Sequence, residues 1–92
     1  MIKSFKDSNT QALFSGQRIP KFINIETVAL RKLAMLNRAA NINDLRIPSG
    51  NRLESLKADR AGYHSIRIND QFRLCFKFEN GNAFDVEIID YH

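Results

Sequence analysis

The feature that most constrains the fold of this chain is an alternating run near its C-terminus, followed by a tight turn and a second apolar run. Between residues 72 and 78, four apolar residues (Phe, Leu, Phe, Phe) alternate with Arg, Cys and Lys, the period of a strand with one buried face. Asn80-Gly81 favours a type I′ hairpin, because both central residues of that turn need positive φ. A returning strand is predicted from Ala83 to Ile89. The chain therefore predicts an antiparallel hairpin whose Phe-rich face needs a covering layer.

Two helices are predicted to supply that layer. The run from Asp7 to Thr10 is rich in capping residues and precedes a short helix that stops near Gly16. Asn24 is the predicted N-cap of a longer helix that ends around Ala39-Ala40-Asn41. The apolar residues of this helix fall on one face at helical spacing: Ile25, Val28, Ala29, Leu33, Leu36 and Ala40. Three basic residues lie off this stripe and are predicted to be solvated: Arg31, Lys32 and Arg38.

Two further strands complete the predicted sheet. Met1 to Phe5 is predicted to be a short first strand, and Tyr63 to Ile68 alternates after the breaker at Gly50. His64 shares its face with apolar neighbours, so we expect it to pack partly buried. This order predicts an α+β domain with two N-terminal helices packed on one face of a small, mainly antiparallel sheet. The other face is predicted to be concave and basic, with three outward side chains: Arg67, Arg73 and Lys77.

Length and composition limit the class of protein. A chain of 92 residues fills one hydrophobic core, so residues 1–92 are predicted to form a single domain. The net charge of +4 favours an anionic partner such as nucleic acid or an acidic protein. The single cysteine, Cys75, excludes an intramolecular disulfide and provides no metal framework, so no cofactor or metal is expected and Cys75 is predicted to pack. Because no signal peptide or membrane span is evident, a cytoplasmic protein without a membrane partner is predicted.

The last three residues carry groups that can move protons. Asp90-Tyr91-His92 places a carboxylate, a phenol and an imidazole at the end of the last predicted strand, downstream of a basic stretch from Asn51 to Arg60. Such groups beside fixed cations are what cleavage of a phosphodiester requires. Strict alternation would point Asp90 and His92 towards the core, leaving only Tyr91 with Arg67 and Arg73. A bulge or strand end near Ile89 is therefore predicted to re-aim the tail.

Short motifs in a defined order run through most of the chain. They are Arg31-Lys32-Leu33, Leu45-Arg46-Ile47-Pro48, Asn51-Arg52-Leu53, Leu56-Lys57, Asp59-Arg60, Gly62-Tyr63, Ser65-Ile66-Arg67, Phe72-Arg73-Leu74 and Asp90-Tyr91-His92. This set resembles the HigB group of bacterial toxins, within the RelE/ParE superfamily. The resemblance implies a RelE-like, microbial-ribonuclease-like fold. It also implies the toxin of a type II toxin–antitoxin system, a metal-independent endoribonuclease that cuts translated messenger RNA in the decoding site of the ribosome.

The resemblance further implies a protein partner. HigB-like toxins pair with HigA-like antitoxins, which carry a helix-turn-helix and repress the shared operon, so operator DNA is expected to be contacted only through the antitoxin. We expect the antitoxin to dock largely on the helical side and to leave the basic face partly open. Two other functions stay open on the same fold. One is a non-enzymatic toxin of the ParE type that acts on DNA gyrase, and the other is an RNA binder that blocks the ribosome without cutting.

Metal-free RNA cleavage turns the 2′-OH into a nucleophile against the adjacent phosphorus, and it needs a base, an acid and cations. His92 is the leading candidate acid or base, since imidazole titrates near neutral pH. Tyr91 is a candidate to orient the nucleotide or stack on a base. Asp90 is a candidate base, or a group that orients His92. HigB relatives can carry a histidine where this chain has Glu54, so Glu54 is either a base or a surface acid paired with a neighbouring cation.

Five basic residues are candidates to bind the RNA backbone. Arg67 and Arg73 are the first choices for charge stabilisation, because the planar guanidinium suits bidentate contact with phosphate. The others lie in the loop before the second predicted strand or further along the sheet face: Lys57, Arg60 and Lys77.

Overall fold

A computed structural model describes residues 1–91 of this chain. Two α-helices precede four strands: α1 (Ser8–Phe14), α2 (Glu26–Arg38), β1 (Glu54–Ser55), β2 (His64–Arg67), β3 (Phe72–Glu79) and β4 (Asn82–Asp90). The strands lie in the order β1-β2-β3-β4, and every neighbouring pair is antiparallel. Short 3-10 helices fill the connections: Pro20–Ile25, Ile42–Arg46, Ser49–Asn51 and Ala58–Arg60. The predicted α+β architecture, with two N-terminal helices and an antiparallel sheet, is confirmed.

The N-terminal segment pairs with β4 without forming a full strand. Ile2 and Phe5 make isolated parallel bridges to Ala83 and Val86. Two backbone N–H groups of the segment donate to the carbonyls of Ala83 and Val86, at 2.8 and 2.9 Å. The strand predicted from Met1 to Phe5 is therefore limited to two bridges, which still fix the segment along the edge of β4.

The two helices begin differently. The carboxylate of Asp7 accepts from the Thr10 N–H at 3.2 Å, so the predicted capping run does start α1. The N-cap predicted at Asn24 is wrong, because Pro20 opens a 3-10 helix that runs directly into α2 at Glu26. Proline suits a first helical turn, since its fixed φ is already helical. The chain thus enters α2 from helical backbone and needs no side-chain cap there.

The hydrophobic core lies between the α-helices and one face of the sheet. From α2 it takes Ala29, Leu33 and Leu36, as the helical stripe predicts, and from β3 it takes Phe72, Leu74 and Phe76. Ala40 lies outside it, because α2 ends at Arg38 and Ala39 is buried instead. The ring of Phe22, from the connection between the helices, meets Phe72 edge-on at 6.0 Å. Each of these large side chains contributes about 1.5–3 kcal/mol of burial free energy, which anchors β3 and the polar residues that alternate with the Phe row.

The hairpin between β3 and β4 forms as predicted. Asn80 and Gly81 both have positive φ, 51° and 78°. Further along β4 the register shifts, because Lys77 pairs with Phe84 whereas Cys75 pairs with Glu87. One extra residue therefore lies in β4 as a bulge, within a stretch that includes Asp85, whose φ is 53°.

The position of this bulge corrects the prediction for the tail. We predicted a bulge or strand end near Ile89 that re-aims the tail. β4 does end near there, at Asp90, but Asp90 lies opposite Phe72 and keeps the alternation, and the bulge lies earlier in the strand. Ile88 is buried in the core and Ile89 is opposite Arg73. Since side chains alternate along a strand, Tyr91 follows on the same face as Arg73. Asp90 and Tyr91 therefore continue the alternation of β4.

The face of the sheet opposite the helices is more enclosed than predicted. Ser65 and Cys75 are fully buried there, and Arg73 is 6% exposed. The prediction that Arg73 points outward into solvent is therefore wrong, whereas the prediction that Cys75 packs is confirmed. The segment from Arg52 to Tyr63 covers this face, because it contacts side chains of β3 and β4.

Candidate functional site

Arg73 is the centre of a polar cluster on this second face. Its Nε donates to the Ser65 hydroxyl at 2.9 Å, and its Nη2 donates to the Arg52 carbonyl at 2.6 Å. Nη2 also lies 3.2 Å from a carboxylate oxygen of Glu54. A buried charge without partners would cost several kcal/mol, so these contacts hold the guanidinium in one place. In the part of the chain that the structure describes, they use Nε and Nη2 and none uses Nη1.

Strand register explains why these residues meet. Glu54 in the two-residue edge strand β1 is opposite Ser65 in β2, and Arg67 in β2 is opposite Arg73 in β3. Cα partners in antiparallel strands point to the same face. The four side chains therefore lie on one face, and the edge position of β1 leaves Glu54 48% exposed on its side chain.

Tyr91 closes the cluster on the β4 side. The centre of its ring lies 5.3 Å from the guanidinium carbon of Arg73, which is within the range of a cation–π contact. Its backbone N–H donates to the Gln71 carbonyl at 2.6 Å, and its side chain is exposed. The site thus combines a buried cation with an exposed aromatic ring beside it.

Asp90 lies on the opposite face of β4 from Tyr91. Asp90 lies opposite Phe72 in the sheet, and one of its carboxylate oxygens accepts from the Gln71 side-chain amide at 3.1 Å. Register therefore puts Asp90 on the Phe72 side of the strand rather than beside Arg73. His92, the leading candidate acid or base, lies outside the described residues.

Two predicted phosphate-binding arginines are paired with carboxylates. Arg67 contacts the fully exposed Asp70, three residues further along the chain. Arg60 lies 3.2 Å from Glu87, and this hydrogen bond raises the pKa of the Arg60 guanidinium, with burial acting against it. These cations flank the Arg73 cluster on the same face, and each carries a local counter-charge.

Lys77 and Lys57 lie outside the Arg73 cluster. The ammonium of Lys77 lies 5.1 Å from the Tyr63 ring centre, and Lys6 lies 5.4 Å from the same ring. The Tyr63 hydroxyl donates to Asp85 at 3.1 Å. Lys57 is exposed and immediately precedes the 3-10 helix Ala58–Arg60. The structure thus separates the candidate residues into the Arg73 cluster and a more distant basic region near Tyr63.

Ser65 and the Arg52 carbonyl are site groups that sequence reasoning missed. Alternation does put Ser65 on the same face as Arg67, and a hydroxyl there is a signal for a buried partner. No comparable signal exists for the Arg52 carbonyl, because its direction depends on the left-handed backbone of Arg52, with φ of 47°. Left-handed backbone is uncommon for residues other than glycine.

The structure also overturns the prediction that Lys32 is solvated. Lys32 is 7% exposed, and its ammonium donates to the side-chain oxygen of Asn51, which is fully buried. Burial lowers the pKa of the Lys32 ammonium, and the charges of Arg31 and Arg67 lower it further. His64 is half-buried against Phe76, as predicted, with 6.1 Å between ring centres.

Over residues 1–91, no helix is both long and apolar enough to cross a membrane. Within the same range, no three or more His, Cys, Asp or Glu side chains are grouped so that they could hold a metal ion.

Solved structures of similar shape support the fold. The chain superposes on a toxin–antitoxin complex of YoeB and YefM from Staphylococcus aureus with a TM-score of 0.63 at 18% identity, covering 100% of this chain and 98% of that chain. It also superposes on a YafQ variant from E. coli with a TM-score of 0.60 at 16% identity, covering 98% and 91%. At these identities the likeness concerns the fold alone, and it confirms the predicted RelE-like architecture.

Sequence comparison identifies the family. The toxin HigB-1 of Vibrio cholerae is 38% identical over 87 residues, which cover 92% of each chain. A protein of Proteus vulgaris named endoribonuclease HigB is 34% identical over 97 aligned positions, with full coverage of both chains. Residues 3–92 match the family described as the RelE-like toxin of type II toxin–antitoxin system HigB. The predicted resemblance is confirmed, and the chain belongs to the HigB family of type II toxin–antitoxin toxins.

Proposed function

We propose that this toxin is an endoribonuclease that cleaves messenger RNA during translation and holds the scissile phosphate at Arg73. Family membership supports the toxin function, and the Proteus vulgaris relative is named an endoribonuclease. The observation that carries the proposal is the arrangement of Arg73, a buried guanidinium fixed through Nε and Nη2 beside the exposed ring of Tyr91.

Arg73 is suited to stabilising a phosphorane-like transition state. Over residues 1–91, its contacts with Ser65, Arg52 and Glu54 use Nε and Nη2, and we propose that Nη1 faces the phosphate. A preorganised cation in a site that excludes water needs no reorganisation during the reaction. Arg67, opposite Arg73 in the sheet, supplies a second guanidinium to the same phosphate or its neighbour once it leaves Asp70. That exchange is favourable because a fully exposed carboxylate holds its partner weakly.

We assign proton transfer first to Glu54, with Asp90 and His92 as the further candidates. Glu54 is already within 3.2 Å of Arg73, so it is placed to take the 2′-OH proton of a nucleotide bound there. Asp90 remains an alternative base, or a group that orients His92. His92 is the proposed acid for the leaving 5′-oxygen, and Tyr91 is proposed to stack on the base next to the cut.

The remaining cations are proposed to contact the RNA backbone away from the cut. Lys57 and Arg60 lie in the segment that covers the site, and Lys77 lies beyond it against Tyr63. A positively charged face suits the backbone of a single strand. A single domain over residues 1–92, a cytoplasmic location and metal independence stay predictions.

An antitoxin partner follows from the family, and we propose that it is HigA-like, with a helix-turn-helix that alone contacts operator DNA. We propose that it docks on the helical side, at a groove of about 320 Å³. The groove is lined by Met35, Arg38, Ala39, Asp44, Leu45 and Ile47. Ile47 is 79% exposed, so a partner docked at the groove would bury it. An Ile47→Glu chain is expected to lose antitoxin binding in pull-down and to keep its cleavage activity.

The test of the enzymatic proposal is primer extension on message from cells that express the wild type, Arg73→Ala, or a chain lacking His92. Cleavage sites within translated frames are expected for the wild type and are expected to be strongly weakened in both variants. Uncut message with DNA damage and supercoiling defects would instead indicate a gyrase-directed toxin. Uncut message with ribosome footprints would indicate a blocking RNA binder.

A further inference from the structure

A buried polar pair lies behind the Arg73 cluster. The ammonium of Lys32, on α2, donates to the side-chain oxygen of Asn51. The side-chain amide of Asn51 in turn donates to the Leu45 carbonyl at 3.1 Å. Lys32 is 7% exposed and Asn51 is fully buried. The two residues therefore tie the connection that follows α2 to the helix from which it departs.

The backbone next to Asn51 leads directly to Arg73. Asn51 ends a 3-10 helix, its N–H donating to the Pro48 carbonyl at 3.0 Å. Arg52 then adopts left-handed backbone, with φ of 47° and ψ of 58°. This conformation directs the Arg52 carbonyl to Nη2 of Arg73 at 2.6 Å. A displacement of Asn51 would therefore move one of the groups that hold the guanidinium.

We propose that Lys32 and Asn51 are positioning residues that act through the Arg52 carbonyl to fix the guanidinium of Arg73. This proposal rests on the proposed role of Arg73 in cleavage. The ammonium fixes Asn51, Asn51 fixes the turn at Arg52, and the turn fixes Nη2. Neither Lys32 nor Asn51 is proposed to touch RNA.

The chemistry of the pair favours this role over simple packing. Burial and the positive charges of Arg31 and Arg67 both disfavour a charged lysine at this position. An apolar side chain would fill the same space without this cost in free energy. Apolar replacement of buried ionic groups is often neutral or stabilising. A directional bond to Asn51 explains why a charged side chain is used here. The loss of this bond would displace the Arg52 carbonyl from Arg73. A displacement of about 1 Å in a catalytic site can cost up to about 100-fold in rate.

The experiment compares Lys32→Met, Arg73→Ala and the double variant in single-turnover cleavage of ribosome-bound message. Arg31→Met, at the exposed neighbour on the same helix, is the matched control. We expect Lys32→Met to lower the saturating cleavage rate by about tenfold and to leave the half-saturating toxin concentration within about twofold. The Lys32 change is expected to cost nothing further in the Arg73→Ala background, since coupled residues are non-additive. Asn51→Ala, which removes the same bond from the other side, is expected to behave like Lys32→Met.

A direct readout of Arg73 separates positioning from general destabilisation. Its Nε–H, bonded to Ser65, is expected to exchange slowly with water in side-chain NMR spectra of the wild type. In Lys32→Met that exchange is expected to accelerate, while the backbone spectrum stays that of a folded chain. Unchanged exchange together with an unchanged cleavage rate would overturn the positioning proposal. Accelerated exchange in Lys32→Met, combined with full cleavage by Arg73→Ala, would uphold the positioning and overturn the proposed function.

Discussion

The guanidinium of Arg73 lies against the ring of Tyr91, with 5.3 Å between the guanidinium carbon and the ring centre. The first group is buried and the second is exposed. A phosphate bound at Arg73 would therefore place the adjoining nucleotide at the tyrosine ring. This relationship would bring the proposed charge stabilisation and base stacking together in one site.

Two substitutions of Tyr91 distinguish the contribution of the aromatic ring from that of its hydroxyl. Tyr91→Phe keeps the ring that faces Arg73 and is expected to retain cleavage within a few-fold. Tyr91→Ala removes it and is expected to lower the cleavage rate by roughly 5- to 150-fold, since base–aromatic stacking contributes about 1–3 kcal/mol. Single-turnover rates on ribosome-bound message measure both. Equal loss in the two variants would assign the role to the hydroxyl instead.

The candidate bases can be distinguished by the pH dependence of cleavage. Glu54→Gln preserves the size of the side chain beside Arg73 and removes its capacity to take a proton. If Glu54 is the base, this variant loses the acid limb of the pH–rate profile, and Asp90→Asn keeps it. Glu54→His is expected to move that limb to higher pH, because imidazole holds its proton to a higher pH than a carboxyl does. An acid limb unchanged in Glu54→Gln would point to Asp90 or His92.

The pairing of Arg67 with Asp70 is expected to restrain RNA binding. Asp70→Asn removes a fully exposed negative charge next to Arg67. We expect tighter binding of a single-stranded RNA at low salt, because the arginine no longer has to exchange partners. Stability is expected to change little, as for most exposed ion pairs. RNA titrations at two salt concentrations, beside thermal unfolding, check both parts, and weaker RNA binding would contradict the prediction.

His64 is expected to make stability depend on pH. Burial lowers the pKa of its imidazole from the usual 6.5, so the folded chain favours the neutral form. As pH falls below 6.5, the unfolded chain binds a proton that the folded chain does not yet bind. The free energy of unfolding should therefore fall through this range and level off below the folded pKa.

The matched control for this prediction is His64→Gln, which lacks the titrating group. As pH falls below 6.5, the free energy of unfolding of the wild type should fall relative to that of this variant. Urea unfolding at several pH values measures it. A difference that is constant with pH, or that grows in favour of the wild type on acidification, would contradict it.

The elements with strong local periodicity could be predicted from the sequence. The Phe row of β3 and the positive φ of Asn80 and Gly81 depend on local patterns, and both were confirmed. The bulge near Asp85 was not predicted, because it depends on pairing between distant residues rather than on a pattern within β4.

The enclosure of Arg73 could not be predicted in the same way. Alternation gives the face on which a side chain lies, but it does not say what covers that face. Here a segment without helical or strand periodicity, from Arg52 to Tyr63, supplies the cover. The burial of Lys32 has the same origin, since its partner Asn51 lies in an irregular connection.

The most direct test of the central claim is the effect of the 2′-OH at the cut. A ribosome-bound message is prepared with a single 2′-O-methyl group at a mapped cleavage site and is compared with the unmodified message. If Arg73 stabilises attack by the 2′-oxygen, the modified message stays intact at that site, and the unmodified one yields a 2′,3′-cyclic phosphate and a 5′-hydroxyl. Undiminished cleavage of the modified message, with a 5′-phosphate product, would contradict the account.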